Sequence, residues 1–257
     1  MPSSGQPGGP GRGETEAIRT HRDRAGVFLD FDGTLSEIVA HPGLAAALPD
    51  APALLERLAG SYALVAVVSG RPAEQVRELV PVPGIEVFGL YGLLRAEGET
   101  GPPAVQAASE EVHRLASHVA GAWVEDKGPS IAVHYRGALE PEAAREALAS
   151  PLEELAERFD LRVLSGKMVL ELLPSEVPGK GAVVLREARA RALTACLFAG
   201  DDRADLDAFA ALDELKREGV ATVKVAVRSA ETPEELVAQA DVVVEGPAGL
   251  LAVLSLL

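Results

Sequence analysis

Two patterns of hydrophobic and polar positions divide this chain. In the first, short unbroken apolar runs alternate with helical periodicity. Residues 26–31 form an apolar run ending in acid and glycine, the look of a strand buried in a parallel sheet. Residues 52–59 place Leu54, Leu55 and Leu58 on one helical face. Residues 63–68 predict a second buried strand, closed by Ser69-Gly70-Arg71. A helix over 72–80 opens on a proline, which suits a first turn, and 85–88 predicts a third strand. The pattern resumes after Pro174 with a helix over 180–191 and a strand over 195–199 that ends at Gly200-Asp201-Asp202. A helix over 204–218, strands at 223–227 and 242–244, and an apolar helix over 247–257 complete it.

The second pattern begins near residue 100. A helix over 107–120 leads into Trp123-Val124-Glu125-Asp126-Lys127, then strand character over 130–136 and a helix over 141–159. Residues 161–164 and 167–172 read as a hairpin turned at Ser165-Gly166. These strands alternate polar with apolar positions, so one face of their sheet is wet. Together the patterns predict an α/β fold: a doubly wound, Rossmann-like parallel-sheet core from 24–99 and 174–257, interrupted by a smaller inserted α/β cap from 100–173. Residues 1–23, rich in Gly, Pro, Ser and charge, are expected to form a disordered tail.

Composition narrows the function. The 257 residues carry a net charge of −15, a surface that repels nucleic acid and anionic membrane. The same charge disfavours a phosphorylated ligand unless a metal or a Lys/Arg pocket inverts the local field. No apolar run reaches transmembrane length, and the N-terminus lacks the apolar segment of a secretory signal, so a cytoplasmic location is the expectation. The oligomeric state is not encoded legibly; a monomer is the expectation. The single cysteine, Cys196, sits in an apolar run and reads as a small core residue, with no intrachain disulfide available.

The candidate chemistry gathers at strand ends. Asp30-Phe31-Asp32-Gly33-Thr34-Leu35 follows the first strand, where open α/β sheets bind ligands. Two carboxylates at i and i+2 leave an ideal strand on the same side, and their repulsion calls for a cation. Magnesium fits, because it takes hard oxygen ligands and substrate phosphate together. Two solvated acids at a strand end would be the plainer explanation. Ser69 before a helix is either an N-cap or part of a phosphate site. Lys180, opening a helix within Pro178-Gly179-Lys180-Gly181, is either a surface lysine or a group that neutralises a transferring phosphoryl. Asp201 can add a third carboxylate, and Asp205, one helical turn on, can hold a metal-bound water or orient Lys180. Acids at a helix start also complement the macrodipole. That accounts for one of them comfortably, but not for three at one sheet edge.

Asp-x-Asp-Gly-Thr-Leu, then Ser, then Lys, then Gly-Asp-Asp, in that order, resembles the haloacid dehalogenase superfamily of phosphatases. The placement of the cap resembles the subclass with a large α/β cap, and within it the trehalose-6-phosphate phosphatase family. The likeness runs from about Gly26 to Leu257 and takes in Ser69-Gly70-Arg71, Gly89-Leu90-Tyr91-Gly92, Glu125-Asp126-Lys127, His134-Tyr135-Arg136, Gly166-Lys167 with Glu171, and Gly200-Asp201-Asp202-Arg203 followed by Asp205 and Asp207.

The resemblance implies that Asp30 attacks phosphorus and becomes an aspartyl phosphate. Asp32 would protonate the leaving oxygen and then activate water, while Ser69 and Lys180 hold the phosphoryl oxygens. Magnesium would be held by Asp30, the Asp32 carbonyl and Asp201, with Asp202 and Asp205 nearby. Arg71, Lys127, His134, Arg136, Lys167 and Glu171 would recognise the sugar phosphate. Each cap side chain alone can equally be a solvated surface charge, and His134 a packed, satisfied residue. The clustering of Lys127, Arg136 and Lys167 in an acidic chain predicts a local positive field. The chain departs from the family at Ala204 and Leu206 (usually Thr and Glu), at Leu173-Pro174 (usually Arg-Pro) and at Gly179 (often Asn or Asp). These departures leave open another sugar phosphate, such as sucrose or mannosylglycerate phosphate. A non-catalytic sugar-phosphate-binding partner is a further alternative, against which the intact Asp30, Asp32, Lys180 and Asp201 argue.

Overall fold

A computed structural model describes residues 11, 13–39, 41–90, 102–175 and 179–257. Among them, a six-stranded sheet runs in the order β10-β9-β8-β1-β2-β3, with every neighbouring pair parallel. Its strands are β1 (Ala25–Leu29), β2 (Leu64–Val68), β3 (Glu86–Phe88), β8 (Ala195–Gly200), β9 (Ala221–Arg228) and β10 (Val242–Glu245). The central strands are apolar on both faces because helices cover both. Val27 and Leu29 of β1 enter one core cluster, while Phe28 points into the other with Phe198 of β8. The first cluster lies under α2 (Ala51–Ala59), α3 (Ala73–Leu79) and α9 (Gly246–Ser255). The second lies under α6 (Lys180–Ala190) and α7 (Asp205–Arg217). Strand order reverses at β1, so the ends of β1 and β8 open a crevice at the switch point.

A second sheet, antiparallel throughout, runs β4-β5-β7-β6, from β4 (Trp123–Asp126), β5 (Ile131–His134), β6 (Leu161–Gly166) and β7 (Val169–Pro174). α4 (Pro103–Ser117) and α5 (Pro141–Arg158) cover one face, where Ile131, Val133, Leu170 and Leu172 are buried. Alternation sends Glu125, His134 and Glu171 to the other face.

The structure alters three expectations. Residues 16–20, expected to be disordered, form α1 (Glu16–Thr20), whose Ile18 is fully buried against the parallel sheet. One apolar side chain docks a segment whose average composition reads as coil. The hairpin turns at Lys167-Met168 rather than Ser165-Gly166, because Gly166 pairs with Val169 and Met168 takes a φ of 58°. The helix α8 (Glu234–Gln239) was not anticipated. Residues 91–101 lie outside the described residues, and with them Tyr91, Gly92 and the expected boundary at 99/100; so do residues 1–10 of the expected tail and Pro178. Among the described residues no helix is long and apolar enough to cross a membrane.

Candidate active site

Asp30 leaves the end of β1 with its N–H on the Ala199 carbonyl of β8, which ties the first acid to the strand that carries Asp201. Gly33 turns the chain back at a φ of 80°. A Cβ there would stand 1.9 Å from Asp201 Oδ2, so only glycine lets the two acidic segments approach. Asp30, Asp201 and Asp205 each offer a buried oxygen, all within 4.8 Å of one another. Lys180 Nζ lies 2.8 Å from Asp30 Oδ1 and 2.6 Å from Asp205 Oδ1. Asp205 Oδ2 accepts the backbone N–H groups of Asp201 and Asp202 at 2.8 and 2.9 Å. Both oxygens of Asp205 are therefore engaged, one orienting Lys180 and the other the loop after β8. Gly179 admits Asp207, whose Oδ2 accepts the Gly181 N–H at 2.8 Å and caps the start of α6; a Cβ at Gly179 would lie 2.0 Å from that oxygen.

Burial pushes the Asp30 carboxyl up to about 7 against the pull of Lys180, with Asp205 and Asp32 adding to the rise. Burial likewise raises Asp201, despite Lys167, and Asp202. It would lower Lys180, but Asp205 and Asp30 outweigh it and hold the ammonium above its ordinary value. Four acids, Asp30, Asp201, Asp202 and Asp205, thus face two ammonium groups, Lys167 and Lys180. A cation deficit among hard oxygen donors is what a divalent metal ion relieves, so the cluster is suited to hold one.

Around this cluster runs a cleft lined by Asp30, Asp32, Ser69, Arg71, Lys180 and Asp202 from the core. From the cap, Lys127, His134, Arg136, Lys167 and Glu171 line it. The fold thus brings most of the anticipated side chains to one cleft, with Asp201 and Asp205 fully buried at the cluster itself. Ser69 Oγ accepts the Arg71 N–H at 3.1 Å. Arg71 forks onto Asp32, Nε to Oδ2 at 2.7 Å and Nη2 to Oδ1 at 2.6 Å.

The cap cations do not make the free positive field expected of them. Lys127 pairs with Glu171 at 3.0 Å, Arg136 with Glu231 at 2.6 Å, and Lys167 with Asp201. In a chain with 39 acids against 24 Lys and Arg, each of these cations finds a carboxylate. His134 is satisfied and packed while still facing the cleft. Its Nε2 meets Glu125 Oε2 at 2.9 Å and its ring stacks on Trp123 at 4.1 Å. That hydrogen bond holds the Glu125 carboxyl below its ordinary value. Of the family departures, Leu173 is buried, Leu206 packs on the core and Ala204 lines the cleft.

Several cleft residues were not singled out from sequence. Glu125 lies two positions before Lys127 near the same strand, so alternation was a usable signal. Ile38, Val39 and Gln75 form part of the core-side wall, and Ser130, fully buried and outside that lining, donates Oγ–H to Glu171 Oε1 at 2.6 Å.

The trehalose-phosphatase family model matches residues 28–241. Trehalose-phosphate phosphatase of Mycobacterium ulcerans is 35% identical over 206 residues, covering 74% of this chain and 52% of the relative. That of Mycobacterium avium is 37% identical over 203 residues, covering 72% and 51%. The chain thus spans about half the length of the curated relatives it matches. Among solved structures, the C-terminal domain of Candida albicans trehalose-6-phosphate phosphatase superposes with a TM-score of 0.80 at 21% identity, covering 99% of this chain and 98% of that one. The sucrose-phosphatase of Synechocystis gives 0.54 at 17%, covering 89% and 95%. At these identities the likeness is one of fold.

Proposed function

The chain belongs to the trehalose-phosphatase family, and from that premise we propose that it hydrolyses trehalose 6-phosphate to trehalose and phosphate with magnesium as cofactor. The observation that carries this reading is the convergence of Asp30, Asp201, Asp205 and Lys180 within one buried cluster at the sheet's switch point. In this reading Asp30 Oδ attacks phosphorus, forming an aspartyl phosphate as the ester bond to the sugar breaks. A covalent carboxylate divides one hard displacement into two easier ones. Asp32, at the mouth of the cleft, gives its proton to the departing sugar oxygen and later takes one from the water that attacks phosphorus, as the bond from phosphorus to Asp30 breaks and phosphate leaves. Lys180 and Ser69 hold the equatorial oxygens, and Asp205 keeps Lys180 aimed. Asp30, the Asp32 carbonyl and Asp201, with Asp202 and Asp205 adjacent, would hold magnesium, which when bound would supply charge neutralisation at the phosphoryl oxygens.

The cap, taken as 100–173, carries Lys127, His134, Arg136, Lys167 and Glu171 to recognise the sugar, while the core is taken as 24–99 and 174–257, with α1 packed onto it. We place the enzyme in the cytoplasm as a monomer. Phosphate release from a panel of sugar phosphates with magnesium tests the assignment; trehalose 6-phosphate should turn over fastest. Asp30→Asn should abolish turnover while leaving a folded protein. Faster release from sucrose 6-phosphate or mannosylglycerate phosphate would favour the second reading, which Leu173, Ala204 and Leu206 motivate. Activity surviving in Asp30→Asn would refute the mechanism.

A further inference from the structure

Glu231 follows β9 and carries no motif, yet it makes a bidentate contact between the two sheets. Arg136, just after β5 of the cap, forks onto it, Nη1 to Oε1 at 2.6 Å and Nη2 to Oε2 at 2.8 Å. The acid is held ready for this contact. Glu231 N–H donates to Ser229 Oγ at 3.2 Å, Ser229 N–H to Thr232 Oγ1 at 2.9 Å, and Thr232 Oγ1 to the Val227 carbonyl at 3.1 Å. The turn is thereby closed on itself, which fixes the backbone that presents the Glu231 carboxylate to Arg136.

The same guanidinium reaches further. Arg136 Nη2 also donates to the Lys167 carbonyl at 3.3 Å, and Tyr135 N–H donates to the Met168 carbonyl at 3.0 Å. These bonds fix the Lys167-Met168 turn. From that turn the Lys167 N–H reaches Asp202 Oδ2 at 3.1 Å, and its ammonium pairs with Asp201. A continuous polar chain therefore runs from Glu231 through Arg136 and the hairpin turn to the acid cluster.

We infer that Glu231 is a positioning residue: its fork with Arg136 latches the cap turn onto the core and so delivers Lys167 to the acid cluster. An ordinary surface ion pair would contribute stability at most, and little of it. The Glu231 latch acts instead on the equilibrium between the closed cap and an opened one. It also means that Glu231 engages both terminal nitrogens of Arg136, so the fork fixes the orientation in which Arg136 lines the cleft.

The experiment places spin labels at Leu139→Cys in the cap, where the side chain is 98% exposed, and at the exposed Arg217→Cys in the core. Cys196 is buried and stays unlabelled. The parent protein should give one narrow distance distribution. Glu231→Ala should broaden and lengthen it, Glu231→Gln should do so less, and the swap Glu231→Arg with Arg136→Glu should restore the narrow form. The second arm rests on the phosphatase reading. Glu231→Ala should raise KM for trehalose 6-phosphate about fivefold, with kcat changed less than about twofold, because the binding-competent closed fraction falls. Unchanged distances in Glu231→Ala, or a swap that fails to restore them, would overturn the latch. So would an unmoved KM in an enzyme that turns over. The distance arm needs no turnover, so a chain inactive on every sugar phosphate refutes the phosphatase reading and leaves the latch to be decided by the distances alone.

Discussion

Lys180→Met is the substitution whose cost the structure defines most closely. The ammonium is almost wholly buried and touches two carboxylates, Asp30 at 2.8 Å and Asp205 at 2.6 Å. Methionine keeps the length of the side chain and removes the charge, so the packing loss is small and the electrostatic loss is large. Removing one partner of a buried ion pair costs about 3–5 kcal/mol, since the charges left behind have no water to turn to. Protonation limits this loss. Asp30 already stands near 7 with Lys180 in place, and without the ammonium its carboxyl rises further. A carboxyl whose pKa is higher folded than unfolded supports the fold at low pH and loses that support as pH rises through the folded value. The deficit of Lys180→Met relative to the parent should therefore be smallest near about pH 5 and grow toward about pH 8.5, by up to about 1.4 kcal/mol per pH unit per ionising group. Urea denaturation in a chelating buffer at several pH values measures it. Adding Asp205→Asn to Lys180→Met should cost less than the two single losses summed, because the second change removes a charge the first left unpaired. A deficit below about 1 kcal/mol at high pH, a deficit flat with pH, or strictly additive losses would refute a buried, mutually dependent pair.

Two further outcomes follow from the same cluster. Burial raises the carboxyls of Asp30, Asp201 and Asp202, so metal-free protein should lose thermal stability as pH rises from about 4 through the Asp30 value of about 7. Magnesium should then raise Tm more above that window than below it; an equal rise at both ends would exclude the acids as its ligands. Gly33→Ala forces a Cβ to within 1.9 Å of Asp201 Oδ2 at a φ of 80°. It should weaken magnesium affinity by about tenfold or more, a cost of at least about 1.4 kcal/mol, in titration calorimetry; undiminished affinity would show that Asp201 is not held against this turn as a ligand.

Much of the acid and lysine cluster was legible because its residues sit at the ends of recognisable strands. Asp30 and Asp32 flank one strand end, and the apolar run before them fixes where that end lies. The cap was less legible. Lys127, Arg136 and Lys167 were visible as cations, but their neutralisation by Glu171, Glu231 and Asp201 joins residues 34 to 95 positions apart. The hairpin turn was displaced because Gly166 reads locally as a turn residue, whereas the pairing of Leu170 and Leu172 into the cap core sets the register. Ile18 was averaged away in a polar stretch.

By itself the sequence determined the layers, the order of strands and helices, and which strand ends carry acids, because periodicity of burial and the residues that close a strand are properties of neighbouring positions. Only the tertiary structure decided which charges meet. Ion pairing depends on where packed sheets bring distant side chains, and carboxylates in excess compete for every cation. Lys167 on Asp201 and Glu231 on Arg136 are results of that competition, settled by packing geometry that spacing along the chain does not encode.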